Sequence, residues 1–535
     1  MTSRPMDLPG LSAGHLPGLD EVAGDALEDL APQLFAALCE QLPGVPAALL
    51  DSSDHARTDQ PARSAHSILA FSFGDHAVLV SHHQGQTSVT TPKGTIERRQ
   101  PFFSWLAENW TGSAEQPDEG REPAESDRPG QPDGPDATRH DLPRFALGWV
   151  GWLGYELKRE VGAEDPAEKV LEPADRPAQE ASLFRATHAV VIHHAQGQLE
   201  LQCWDAAAES AWKEQVFETL QGLALRDGSD EGGCDEGGSD AALLREIAVR
   251  DSRRDYLAAI ARAKREITEG NSYEICLTTA VTGTLAPGRA RGIELFAALR
   301  TRNRAPFTQF LSIGETEILS TSPERFLSIS ASGTARSEPI KGTRPRGVTA
   351  AQDRAMIEDL RTHPKDRAEN VMIADLVRND LSIHAIPGSL RTERLCAVET
   401  YPSVHQLVST ISARIPDAVP RARVVADAFP PGSMTGAPKI STMEILQRLE
   451  TGPRGPYSGV AGYFSTNGAA DLAVLIRTAV LSGEGESRRF HLGLGGAITA
   501  DSDPAEEWEE IRTKSRGVLE ALGARFPESE TATSD

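Results

Sequence analysis

At 535 residues the chain is too long for one small core, and it predicts two or three domains or one large composite fold. A formal net charge of −24 excludes nucleic acid or an anionic membrane as the main partner, since either demands a basic face. Five cysteines without a CxxC spacing exclude a disulfide framework, and the lack of a secretory h-region or a membrane-length apolar run points to a cytoplasmic protein with no membrane partner.

In chain order, region 1–242 reads as strands with interspersed helices. SILAFSFGDHAVLVSH (67–82) and THAVVIHHAQGQLELQCW (187–204) carry strand-like apolar runs, the second around a Gly-bearing turn. Segments 111–141 and 226–240 are too polar and too rich in Gly, Pro, Asp and Glu to bury a core, and are expected to be disordered acidic insertions. From Leu243 the texture changes, and region 243–525 begins with apolar residues at helical spacing through Ile267, a stop at Gly270 and a strand. Helices are expected over 366–381, 440–450 and 505–523, and strands over 308–321, 459–465, 472–481 and 489–498; the tail 526–535 is expected to be disordered. No GxGxxG or Walker loop appears, so the prediction is α+β, with large antiparallel sheets packed as a sandwich and helices outside.

The chemistry concentrates in region 243–525. HPKDRAENVM sets Asp366 and Glu369 three residues apart, on one face of a helix; AEEWEEIRTK repeats the spacing with Glu507 and Glu510, and Lys514 continues that stripe. Either these are two solvated faces with ion pairs, or the helices face each other and a cation neutralises four carboxylates, for which oxygen-only ligands suit Mg2+. FPPGSMTGAPK (429–439) offers backbone N–H groups to an anion, with Thr435, Gly436 and Lys439 as supports; LGLGGAIT (492–499) lets Gly495 and Gly496 approach a ligand closely. Arg477, in the apolar run LAVLIRT, requires an anionic partner or an exit to solvent, and Tyr457 could add a hydroxyl. Glu324, in STSPERF, either caps a turn or serves as a general acid; Lys341, in EPIKGTRPRG, is either a loop cation or a nucleophile.

Taken in order, these stretches resemble the chorismate-utilising enzymes: anthranilate synthase component I, aminodeoxychorismate synthase component I, and the isochorismate and salicylate synthases. The matching pieces are SYEICLT, STSPERF, EPIKGTRPRG, HPKDRAENVMIADLVRNDL, FPPGSMTGAPKISTMEI, RGPYSGVAGYF, LAVLIRT, GLGGAIT and DPAEEWEEIRTKS, over roughly 250–520, with ALLDSS (48–53) and LGWVGWLGYE (147–156) upstream. The resemblance implies Mg2+ held directly by Glu369 and Glu510, with Glu507 and Asp366 in support; Asp366 stands where Glu is usual. It implies that Tyr457 and Arg477 contact the enolpyruvyl carboxylate of chorismate, that Gly495 and Gly496 donate backbone hydrogen bonds, and that Lys514 lies near the ring carboxylate.

Within the family PIKGT resembles the aminodeoxychorismate branch, whose lysine attacks C2, whereas the anthranilate branch typically reads PIAGT. Lys341 is then the nucleophile, Glu324 the acid for the departing C4 hydroxyl, and ammonia at C4 completes 4-amino-4-deoxychorismate on the way to p-aminobenzoate and folate. Arg344 and Arg346, if directed inward, would lower the Lys341 pKa. Glu274 replaces the water-activating lysine of the isochorismate branch, and Asn370 stands where anthranilate synthases usually carry His. No glutaminase elbow is present, so the resemblance implies a separate glutamine amidotransferase subunit. ALLDSS resembles a tryptophan-binding motif, making Leu50, Asp51 and Ser52 a candidate tryptophan pocket. The readings kept beside this one are anthranilate synthase component I and a noncatalytic chorismate- or tryptophan-binding subunit.

Overall fold

The computed structural model describes residues 6–7, 24–53, 63, 65–110, 142–163, 179–227, 243–286, 291–401, 404–483 and 488–527. The acidic segment 111–141, nearly all of 226–240 and the tail beyond 527 lie outside the described residues.

Two 12-stranded antiparallel sheets dominate the fold. The first runs through Gln198–Cys203, His188–His193, His66–Phe71 and Ala47–Asp51, then Phe307–Ile313, Thr316–Ser322, Thr478–Ser482, Arg489–Ile498, Glu274–Leu285 and the edge strand Leu244–Val249. The second runs from Ile340–Pro345 through Val404–Arg414, Thr334–Glu338, Arg325–Ile329, Ala470–Val474 and Val460–Ser465 to Gly148–Leu153, Ala181–Ala186, Leu79–His83, Gln86–Thr91 and Gly94–Arg99. Regions 1–242 and 243–525 therefore share both sheets: Ala47–Asp51 pairs with Phe307–Ile313, and Gly148–Leu153 with Val460–Ser465.

Strand alternation builds the layers. Leu49 and Leu69 face the helix-covered side of the first sheet, while Ala48, Leu50, Ile68 and Ala70 point into the layer between the sheets with Trp152, Phe184 and Leu311. Full burial of a Leu, Ile or Phe side chain in these layers contributes about 1.5–3 kcal/mol. Helices Gly24–Gln41, Arg253–Thr268, Gly292–Arg302 and Pro504–Ala521 cover the first sheet, and Phe102–Asn109, Pro364–Ser382 and Arg421–Ala428 the second. This is the expected α+β sandwich with outer helices.

Two expected elements differ. Leu243 to Ile267 is an edge strand, Leu244–Val249, followed by the helix Arg253–Thr268; Ser252 accepts from the Asp255 amide at 3.2 Å and starts the helix there. So short an apolar run fits either period, and pairing with Glu274–Leu285 decides it. The run 472–481 is likewise broken: Ala470–Val474 belongs to the second sheet and Thr478–Ser482 to the first, so the chain changes sheets at Arg477, which has φ +50°. Periodicity does not register a strand that changes partners. The helices near 366–381, 440–450 and 505–523 form as Pro364–Ser382, Lys439–Leu449 and Pro504–Ala521.

Candidate active site

Lys341 lies near the start of an edge strand, and its side chain is turned inward. Its Nζ donates to Glu274 Oε1 at 2.5 Å, and the Glu274 side chain is fully buried, its other oxygen without a partner. Burial opposes the ammonium charge, but Glu274, Cys276 and Glu369 outweigh it and hold Lys341 above its ordinary range. The expected role of the neighbouring arginines is not met. Arg344 donates to Asp359 at 2.6 Å and Asp366 at 2.8 Å, and Arg346 grips Asp353, so both are spent on acidic partners and Glu274 sets the lysine instead.

Glu324, on the bend before the strand Arg325–Ile329, accepts from the Ser433 hydroxyl at 2.6 Å. Burial pushes its carboxyl up to about 7, against the pull of Ser433, Lys341 and the Ile340 amide. A carboxyl poised there is protonated near neutrality and can deliver a proton.

Arg477 occupies the change of sheet in a left-handed conformation that costs a non-glycine residue roughly 1–3 kcal/mol. Burial alone lowers its pKa, and its guanidinium has no side-chain partner among the described residues. A half-buried cation without a side-chain partner, held at a strained position, is a candidate site for an incoming anion. Tyr457 is buried against the strand Arg489–Ile498; its hydroxyl is 3.3 Å from where a Cβ on Gly495 would sit. A Cβ at Gly493 would lie 2.1 Å from Tyr457 Cγ, so the glycine seats the ring. Gly493→Ala is expected to displace Tyr457 and destabilise the fold by about 1–3 kcal/mol, read as a lower thermal midpoint; an unchanged midpoint would show that the ring yields freely.

The two acidic helices meet through a lysine. Lys365 Nζ sits 3.9 Å from Glu369 and 3.6 Å from Glu507, which come from Pro364–Ser382 and Pro504–Ala521. Glu369 Oε1 and Glu507 Oε2 are buried without a hydrogen bond, Lys365 reaching the first only as a 3.9 Å ion pair, and Glu507 Oε1 accepts from Ser502 at 2.7 Å. Burial raises both carboxyls, Glu369 to about 7. Glu510 is held low by Lys514 at 2.7 Å, and Lys514 also donates to Gly495 O at 2.9 Å. Gly496 keeps the space beside Glu507 open, since a Cβ there would lie 2.9 Å from Glu507 Oε2. Asp366 is engaged separately: Arg344 and His363, at 2.8 and 3.0 Å, both contact its Oδ2. Among the described residues no three acidic, His or Cys side chains are already drawn to ligand distance. The orphaned oxygens and all-oxygen donor set nevertheless fit a hard divalent cation taking the place that the Lys365 ammonium fills.

Other expected residues are committed elsewhere. Lys439 donates to Asp380 at 2.6 Å and Ala428 O at 2.7 Å, and the Thr435 hydroxyl donates to Gly432 O at 3.1 Å, so the 429–439 loop consumes its own polar groups. Gly436, at φ +136°, is required because a Cβ would meet Glu274 O at 1.9 Å. Asn370 is fully buried and bonds Leu407 O, Ser409 and Cys396, a packing role. Missed by sequence reasoning were Ser433, Lys365 and Arg454. The last is a buried guanidinium joining Glu450, Met434 O and Cys276 O, and only its charge beside Pro453 and Gly455 in a turn marked it.

A cavity of about 570 Å³, with its open mouth included, lies between the sheets. Leu50, Asp51 and Ser52 line it together with Arg63, Phe307 and Tyr463. Asp51 is already engaged, accepting from Ser67 at 2.8 Å and Arg300 at 2.6 Å.

The chain is 44% identical over 399 residues to a Streptomyces griseus protein named aminodeoxychorismate synthase, covering 73% of this chain and 52% of the relative. It is 35% identical over 385 residues to anthranilate synthase component 1 of Pseudomonas putida, covering 71% and 76%. The chain thus spans about half the length of the aminodeoxychorismate synthases it matches first. The crystal structure of anthranilate synthase component I from Streptococcus pneumoniae superposes with a TM-score of 0.65 at 22% identity, covering 85% of this chain and 92% of that one, which establishes the shared fold. Residues 75–520 match the model of the chorismate binding enzymes, and the chain belongs to that family.

Proposed function

We propose that the chain aminates chorismate to 4-amino-4-deoxychorismate, the precursor of p-aminobenzoate and folate, with ammonia from a glutamine amidotransferase partner. The observation that carries this reading is the buried Lys341–Glu274 pair, in a chain whose first relatives bear the aminodeoxychorismate synthase name. Glu274 Oε1 takes a proton from Lys341, and the freed amine attacks C2 of chorismate. The ring double bonds shift, the C4–O bond breaks, and Glu324 gives its proton to the leaving hydroxyl. Ammonia then bonds to C4, the double bonds shift back and the C2–N bond breaks; Lys341 leaves as the amine and regains its proton from Glu274, and the new C4 ammonium gives one proton back to Glu324. Arg477 and Tyr457 hold the enolpyruvyl carboxylate through this sequence, and the strand glycines leave room for the ring.

Glu369, Glu507 and Glu510 would hold Mg2+, with Asp366 outside the set because Arg344 and His363 occupy it. The ion would neutralise these carboxylates and receive the ring carboxylate. The cavity beside Asp51 is the place for a bound amino acid, tryptophan being the occupant the motif suggests.

Mass-resolved product analysis with chorismate, Mg2+ and ammonium tests the reading. Aminodeoxychorismate is expected; anthranilate with pyruvate would overturn it in favour of the anthranilate branch, which the 35% identity to the Pseudomonas putida protein keeps in view.

A further inference from the structure

We propose that Arg63 is a positioning residue for Lys341 and Glu324, clamping from behind the two strands that carry them. The proposal rests on the amination reading for the roles of those two residues, and on the following geometry for the clamp.

Arg63 lies between the first-sheet strands Ala47–Asp51 and His66–Phe71, yet its guanidinium is spent on the second sheet. It holds Glu338 with both ends of its fork, Nε to Oε2 at 2.9 Å and Nη2 to Oε1 at 2.7 Å. Its remaining nitrogen, Nη1, donates to Tyr401 Oη at 2.9 Å and to Glu399. Glu338 also accepts from Arg325 Nη1 at 2.7 Å, and Arg325 grips Asp471 through two bonds of 2.9 Å each. With Arg394 on Glu399, three guanidinium groups face three carboxylates, and the charges in this buried network balance.

The sequence positions give the network its consequence. Arg325 directly follows Glu324, and Glu338 stands three residues before Lys341. Arg325 and Glu338 are direct cross-strand partners, and neighbours along extended chain face opposite sides, so the clamp and the reacting groups occupy the two sides of one sheet. The Val474 amide donates to Glu324 O, in the strand that also carries Asp471, which ties a third strand into the same frame. A bidentate guanidinium fixes angle as well as distance, which a surface ion pair does not. Arg63 is the member of this network that comes from between strands of the first sheet, so it sets how the Glu324 bend and the Lys341 edge strand stand relative to that sheet, which carries Glu274.

Truncation of Arg63 alone would strand buried carboxylates and endanger the fold. The test therefore uses the charge-balanced double variant Arg63→Met with Glu399→Gln, which leaves Arg325 on Glu338 and Asp471, and Arg63→Lys, which keeps the charge without the fork. Chorismate consumption is followed at saturating ammonium and Mg2+ by stopped-time assay, with the folded fraction measured by circular dichroism. The expected result is a fall in kcat of tenfold or more per folded molecule in the double variant, a smaller fall in Arg63→Lys, and a chorismate KM within twofold of wild type. A folded double variant with kcat within twofold of wild type would overturn the clamp, as would kcat and KM worsening in equal measure. The wild-type product tests the amination reading separately, and the ratio of kcat values tests the clamp whichever product forms.

Discussion

Lys341→Ala lowers aminodeoxychorismate formation by about 10³-fold or more, with the chorismate KM nearly unchanged. On the proposed mechanism the direction follows from what the lysine alone would supply: it would be the amine that bonds C2, whereas Arg477 and Tyr457, which the substitution does not touch, would hold the substrate anion. Arginine cannot replace it, because a guanidinium does not give up its proton to Glu274. The substitution also leaves the fully buried Glu274 carboxylate without its partner, and breaking such a pair costs about 3–5 kcal/mol. Lys341→Met with Glu274→Gln removes both charges and separates the chemical loss from the loss of stability. Steady-state kinetics on both variants, with thermal midpoints alongside, make the check. Turnover within tenfold of wild type in a folded variant would show that no lysine adduct lies on the path. Intact mass of wild-type protein quenched during turnover without ammonia supplies the complement, since the adduct adds the dehydrated substrate to the chain.

The sequence was legible where one short motif both folds locally and carries chemistry. Glu324, Lys341 and the two acidic helices were readable because their spacing is set within a single turn, strand or helix face. Helix ends were readable for the same reason: His363 before Pro364 and Asp503 before Pro504 cap their helices locally. What remained hidden depends on distant segments. Arg477 looked like a strand residue because the run around it is apolar without interruption, and only the pairing of Ala470–Val474 and Thr478–Ser482 with different sheets exposes the break. Arg344 and Arg346 looked like neighbours of the nucleophile because they are close in sequence; successive residues of a strand face opposite ways, and acidic groups on the helices Ala350–Thr362 and Pro364–Ser382 capture them. Lys365 gave no sign of bridging two helices, since its second partner lies 142 positions away. The Asp51 motif was readable as a pocket wall, but its engagement by Arg300 was not.

Glu324→Gln lowers kcat by about 10²–10⁴-fold, the range that general acid catalysis typically supplies. The amide keeps the shape and can still accept from Ser433, but it has no proton to give the departing C4 hydroxyl. In wild type the acid works while it is protonated, so with a carboxyl pushed up by burial to about 7 the rate falls as pH rises through that value. The groups around it fix that limb: burial pushes the carboxyl up and Ser433 and Lys341 pull it down, while Asp380, which lines a cavity with Glu324 and Ser433, is held by Lys439 at 2.6 Å. The amide variant has lost this titration, and its residual rate no longer falls across the same range, where Glu369, also pushed up by burial to about 7, still titrates. Stability moves with the same proton. The folded chain keeps it where the unfolded chain, with an ordinary carboxyl, has released it; the contribution is therefore full below the ordinary carboxyl range and is lost as pH rises through about 7. Glu324→Gln removes that slope, so the thermal midpoint of the variant declines less than that of wild type between pH 5 and 8. Rate profiles and midpoints collected on the same samples give two independent readings of one proton. A wild-type profile without the limb near 7, or a variant that retains it, would move the acid to another residue; a variant within tenfold of wild type throughout would show that the hydroxyl leaves without help from this carboxyl.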